Sequence, residues 1–147
     1  MGNSKKLFYW YLPGYFGLLL LSYIFNVGWM RVIFLLVFLL YLLRLIFVYF
    51  GYVKQLLRAD VSQKDFHILF YASLPFLLFN LFLEDGGDVA PTYCFFGLIK
   101  LHSNLLVNVT QIIAWISLLV HLFYNHKLVR ELRKFKEAKR NKELICK

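Results

Sequence analysis

Arg44 is the single charge in the apolar run from Val32 to Val53, VIFLLVFLLYLLRLIFVYFGYV. A guanidinium set in hydrocarbon costs about 2.5 to 3.5 kcal/mol even on the mildest scale, so something must offset it. A carboxylate is the ordinary partner, yet all eight acids, Asp60, Asp65, Glu84, Asp85, Asp88, Glu131, Glu137 and Glu143, lie outside the apolar runs. Three arrangements remain. Arg44 can reach lipid phosphates at the cytoplasmic boundary, bond carbonyls and tyrosine hydroxyls such as those near Tyr71, or face water in a cavity or oligomeric pore. In the last case Tyr41, Arg44, Val48, Gly51 and Gln55 form one stripe at spacings of three and four. A ring of such arginines from several copies attracts anions and repels cations.

The last apolar run, Leu105 to Tyr124, carries two polar stripes. Asn104, Asn108 and Gln111 follow one line, and Thr110, Ala114, Ser117 and His121 follow another. Both should turn away from lipid, either as small and amide side chains that hold helices together or as the lining of the same aqueous path as Arg44. His121, near the cytoplasmic mouth of such a path, would add a response to pH. Beyond it, His126 to Lys147 is strongly basic, with Lys127, Arg130, Arg133, Lys134, Lys136, Lys139 and Arg140 among the cations and Leu128, Leu132 and Phe135 at helical spacing between them. This tail suits anionic lipid, a neighbouring copy or a cytosolic protein. Nucleic acid is a poor fit, because no glycine cradle or aromatic platform accompanies the charge.

Enzyme chemistry has little to stand on. No HExxH, GxSxG, phosphate loop, CxxC or pair of intramembrane acids is present, and His67, His102, His121 and His126 are scattered. No cofactor is implied. Glu84, Asp85 and Asp88 miss the spacing of an EF-hand loop, so no metal site is assigned to them. Asn108-Val109-Thr110 matches a glycosylation sequon but falls inside an apolar run, out of the transferase's reach. Cys94 and Cys146 fall on opposite sides of the expected membrane and cannot pair within one chain.

The elements that must position these residues follow from length. The chain of 147 residues is 61% hydrophobic and 20% aromatic, more apolar surface than a soluble domain of that size can hide. Its hydropathy predicts an all-α integral membrane protein with four transmembrane helices, two hairpins, over about 9–27, 32–53, 66–83 and 105–124. Residues 1–125 form the membrane domain and 126–147 a cytoplasmic basic amphipathic helix. Pro13-Gly14 should kink or delay the first helix, Asn26 to Trp29 should turn it tightly into the second, and Pro75 should bend the third. Tyr93 to Leu101 is too short to cross; it is expected at the interface, with a re-entrant dip or an extension of the fourth helix as alternatives.

Orientation follows from Lys and Arg. Lys5, Lys6, Lys54, Arg58, Lys64 and the nine basic residues after His126 fall on one side of four spans, which puts both termini in the cytoplasm, at the plasma (inner) membrane. The reading that follows is a small multipass protein that self-associates into a pore or perturbs the membrane, with anions passing Arg44. The alternative is a non-conducting accessory or anchor subunit whose tail recruits a partner. In size, lack of a catalytic set and basic cytoplasmic tail, the chain resembles the small multi-span membrane effectors of bacterial antiviral systems, a likeness of architecture without a shared motif.

Overall fold

The computed structural model describes residues 2–25, 32–58, 64–83 and 92–145, with side chains for 10–25, 32–57, 67–83, 93–138, 140 and 141. Four helices carry the fold: α1 (Gly2–Phe25), α2 (Leu35–Arg58), α3 (Lys64–Phe82) and α4 (Asn104–Ile145). Between α3 and α4 lie two short strands, β1 (Thr92–Cys94) and β2 (Ile99–Leu101). By length and composition, α2 and α4 are the two helices apolar enough to cross a membrane.

Each helix buries one stripe at the 3.6-residue period. In α2 the inward positions are Leu42, Leu45, Tyr49, Tyr52 and Leu56, while Leu36, Leu40, Leu43, Phe47 and Phe50 on the opposite side are just as apolar and exposed. A helix that is apolar all round belongs in lipid or against another helix. The four helices alternate in direction. Ring contacts from Tyr15 to Tyr49 and from Tyr23 to Phe38 set α1 antiparallel to α2, and those from Tyr71 to Tyr124 and from Phe79 to Trp115 do the same for α3 and α4. The pairs Tyr41 with His121 and Tyr52 with Phe135 make α2 and α4 parallel neighbours. The start of α1 and the ends of α2 and α4 therefore share one end of the bundle.

Several expectations change. Helix α1 is not delayed at Pro13 but runs from Gly2 straight through it; the missing proline N–H costs one bond, which the flanking turns absorb. The loop between α2 and α3 is shorter than the polar sequence suggests, since α2 continues to Arg58 and α3 starts at Lys64. Closest packing joins α3 to α4, whereas α1 and α2 meet largely through aromatic rings. The turn expected at Asn26 to Trp29, the acidic cluster Glu84, Asp85 and Asp88, and Cys146 lie outside the described residues.

Tyr93 to Leu101 is not helical. It folds as an antiparallel hairpin with Tyr93 opposite Lys100 and Cys94 opposite Ile99, so it is not an extension of α4. The turn holds Phe95, Phe96 and Gly97 at φ of 55, 62 and 73°. Two bulky residues in this left-handed region mean strain that contacts elsewhere must hold. Here the Phe95 N–H donates to the Leu81 carbonyl at 2.8 Å and Cys94 is buried beneath the turn.

The longest helix, α4, reverses its polarity along its length. In its first half the buried positions are Thr110, Ala114, Ser117, His121 and Asn125, and the exposed ones are apolar, including Ile112, Trp115, Ile116, Leu119 and Phe123. In its second half the buried positions are Leu128 and Leu132, and the exposed ones are Lys127, Arg130, Arg133 and Lys134. The apolar stripe expected to be free on a protruding tail is thus used within the chain: Leu132 stands 3.7 Å from where a Cβ on Gly51 would lie, and Phe135 packs edge-on to Tyr52.

Candidate cationic groove beside Arg44

On α2, Tyr41 and Arg44 lie one turn apart beside α4. Tyr41 is held there from within the bundle. Its hydroxyl donates to His121 Nε2 at 2.6 Å, and His121 Nδ1–H donates to the Ala72 carbonyl at 2.5 Å, the tautomer being assigned from these partners. His121 is fully enclosed, with the Phe76 ring tilted against it at a centroid distance of 4.6 Å. This chain of three residues ties α2 to α4 and α4 to α3 at one level, where both ring nitrogens are already engaged.

Just outside that tie, Arg44 opens on a groove of about 550 Å³ between α2 and α4. Its floor is Tyr41 and Asn125, its α4 wall carries Arg130, Arg133 and Lys134, and Glu137 stands at the lip. Arg44 is exposed and, among the described residues, has no hydrogen bond or ion pair; it does not cap the carbonyl at Tyr71. Lys134 Nζ is drawn to Glu131 at 2.8 Å on the outer surface. With Lys134 so paired, three guanidinium groups, those of Arg44, Arg130 and Arg133, share the groove with the Glu137 carboxylate, and each is suited to bidentate bonds with carboxylate or phosphate. Asn125 is 5% exposed, and its Oδ1 is enclosed without a partner beneath the groove.

The register gives the groove its meaning. Arg44 is level with Asn125 and His126, the turn where the exposed face of α4 passes from apolar to basic. Exposed Trp10 and Tyr71 stand on the same half of the bundle, as amphipathic rings do at a headgroup boundary.

The sequence-expected residues divide accordingly. Arg44, Tyr41, Arg130, Arg133 and Lys134 come together. Thr110, Ser117 and His121 are buried against α3, with Thr110 Oγ1 donating to the carbonyls of Leu106 and Val107 at 3.1 and 2.8 Å. Asn108 and Gln111 are exposed at the far end of α4, and Gln55 is half-buried on α2, away from the groove. Lys127, Lys136 and Arg140 are exposed on α4 outside it; the Lys139 side chain is not among those described.

Two polar ties between α1 and α3 were not anticipated: Tyr11 to Ser73, and Ser22 Oγ–H donating to the Asn80 carbonyl at 3.0 Å. The signal was present in the seven-residue spacing of Ser73 and Asn80 within an otherwise apolar run.

No protein-family model, curated protein sequence or solved structure matches this chain.

Proposed function

We propose that this protein is a non-catalytic membrane subunit of four spans with both termini in the cytoplasm, which holds a cationic platform at the inner boundary of the bilayer and acts through what that platform engages. The observation that carries this reading is the reversal of polarity in α4 level with Arg44. A helix that is apolar outside over one half and basic outside over the other matches lipid around the first and water around the second. Arg44 then lies near headgroups rather than deep in hydrocarbon, and the cost of its charge falls with that depth.

A pore through the chain has less support, because the small polar stripe of α4 is packed against α3 and the outward face between Gln111 and His126 is interrupted by Trp115, Leu119 and Leu122. One observation favours a pore between copies: Arg44 is exposed beside the apolar outer face of α2, unneutralised by any described acid. Reconstitution in chloride-loaded liposomes separates the two. The platform reading is upheld if the vesicles stay tight and the protein alone runs without forming a defined ring. A ring that releases chloride, with release abolished by Arg44→Leu, overturns it.

A further inference from the structure

We infer that the α2–α4 groove is a binding site for a phosphate ester that also carries a free hydroxyl, the chemistry of a glycerol- or inositol-type anionic headgroup. The inference rests on the reading that the groove lies at the cytoplasmic boundary, where such headgroups are found.

Three things on the page specify the ligand. Charge comes first: Arg44, Arg130 and Arg133 line one groove from two helices, and Arg44 has no ion pair with a described acid. Like charges brought together at a surface repel unless an anion sits between them. Planar guanidinium forks suit the several oxygens of a phosphate better than they suit a halide. Shape comes second: a volume of about 550 Å³, open on one side, falls within the range of small-molecule sites and far exceeds the needs of a bare ion.

The third specification is an acceptor among the donors. The exposed Glu137 carboxylate lines the groove, where it repels a bare phosphate and accepts from a hydroxyl on the same headgroup. A site built only for phosphate would have donors throughout; this one sets a carboxylate beside them. Zwitterionic choline headgroups fail on charge, and serine headgroups bring a carboxylate next to Glu137.

The source is either a lipid of the cytoplasmic leaflet or a soluble ester such as glycerol 3-phosphate, and the test separates them. Purified full-length protein is placed in nanodiscs of phosphatidylcholine containing phosphatidylglycerol or phosphatidylserine, then released for native mass spectrometry to count retained lipids. In a parallel arm, glycerol 3-phosphate or inorganic phosphate is titrated against the protein in uncharged detergent. Four forms are compared: wild type, Arg44→Leu with Arg133→Gln, Glu137→Leu, and Lys136→Gln with Arg140→Gln, which removes two tail cations outside the groove.

Wild type and the tail variant should retain phosphatidylglycerol at a defined count in preference to phosphatidylserine. The groove double variant should bind roughly thirty-fold more weakly, and Glu137→Leu should lose the preference between headgroups while binding anionic lipid at least as tightly. Binding confined to the nanodisc arm assigns the site to lipid; saturable binding of glycerol 3-phosphate, lost in the groove variant, assigns it to a soluble ester. Equal losses in the groove and tail variants, or no anion retained by a wild type that elutes as a folded species, overturn the inference. Lipid counting does not depend on flux, so a leaking liposome would sink the platform reading without touching this one.

Discussion

At the scale of single residues, two tyrosine hydroxyls inside the bundle should behave differently. Among the described residues Tyr41 alone supplies a proton to His121 Nε2, so Tyr41→Phe leaves a buried acceptor unpaired. The expected cost is about 1 to 3 kcal/mol, read as a lower unfolding midpoint in detergent. Tyr49 is fully buried and its hydroxyl meets that of Tyr15, enclosed beside it; Tyr49→Phe leaves the ring against Tyr15 and Phe16 and removes only that contact, so it should cost less than Tyr41→Phe. A fall in midpoint for Tyr49→Phe as large as that for Tyr41→Phe would show the two hydroxyls to be equivalent. Arg44 was legible from sequence as the residue to explain, because one charge among apolar neighbours needs no structure to stand out. Its companions were not. Which cations of the tail meet it depends on the register of α2 against α4, and register is set by Gly51 against Leu132 and Tyr52 against Phe135, contacts that hydropathy cannot rank.

At the scale of elements, the inner half of α4 is a packed helix and only its outer surface is tail-like. Leu128 is fully buried, so Leu128→Ala should destabilise by about 2 to 5 kcal/mol and loosen this half from α2. Limited trypsin digestion at Lys127 to Lys134 should speed up accordingly, whereas Leu119→Ala, on the exposed face, should leave the digestion rate unchanged. The hairpin offers a second test. Gly97 has φ of 73°, and a Cβ there would stand 3.3 Å from the Phe25 carbonyl oxygen. Gly97→Ala should cost about 1 to 2 kcal/mol, seen as faster hydrogen exchange at the Phe95 amide that bonds Leu81. The helices themselves could be read in advance, since long apolar runs leave little choice at the period of 3.6; α3 falls within two residues of the expected 66–83, whereas α4 starts beside the expected 105 but runs unbroken past the expected end at 124 to Ile145. The hairpin could not. A nine-residue apolar piece between Pro91 and Asn104 carries no helical period, and its shape is decided by where the Leu81 carbonyl and the end of α1 happen to lie.

At the scale of the whole molecule, the alternating directions of the helices put the start of α1 and the end of α4 together. If the four helices span, a cysteine at Asn141 should react with an impermeant maleimide only from the cytoplasmic side of intact vesicles and one at His102 only from the opposite side, both in a chain with Cys94 and Cys146 replaced by serine. Labelling of both from one side would exclude the four-span topology. The charge bias of the loops predicts which end faces the cytoplasm, and the labelling decides it; the way α4 divides its two faces emerged only once its neighbours were in place.

One further property follows from the 42-residue length of α4. At about 1.5 Å per residue it is a rod of roughly 63 Å, and its sequence contains neither proline nor glycine to serve as a joint. Torque applied where its cations meet a ligand has nowhere to dissipate before it reaches Asn104, so the two surfaces of the protein are mechanically one object.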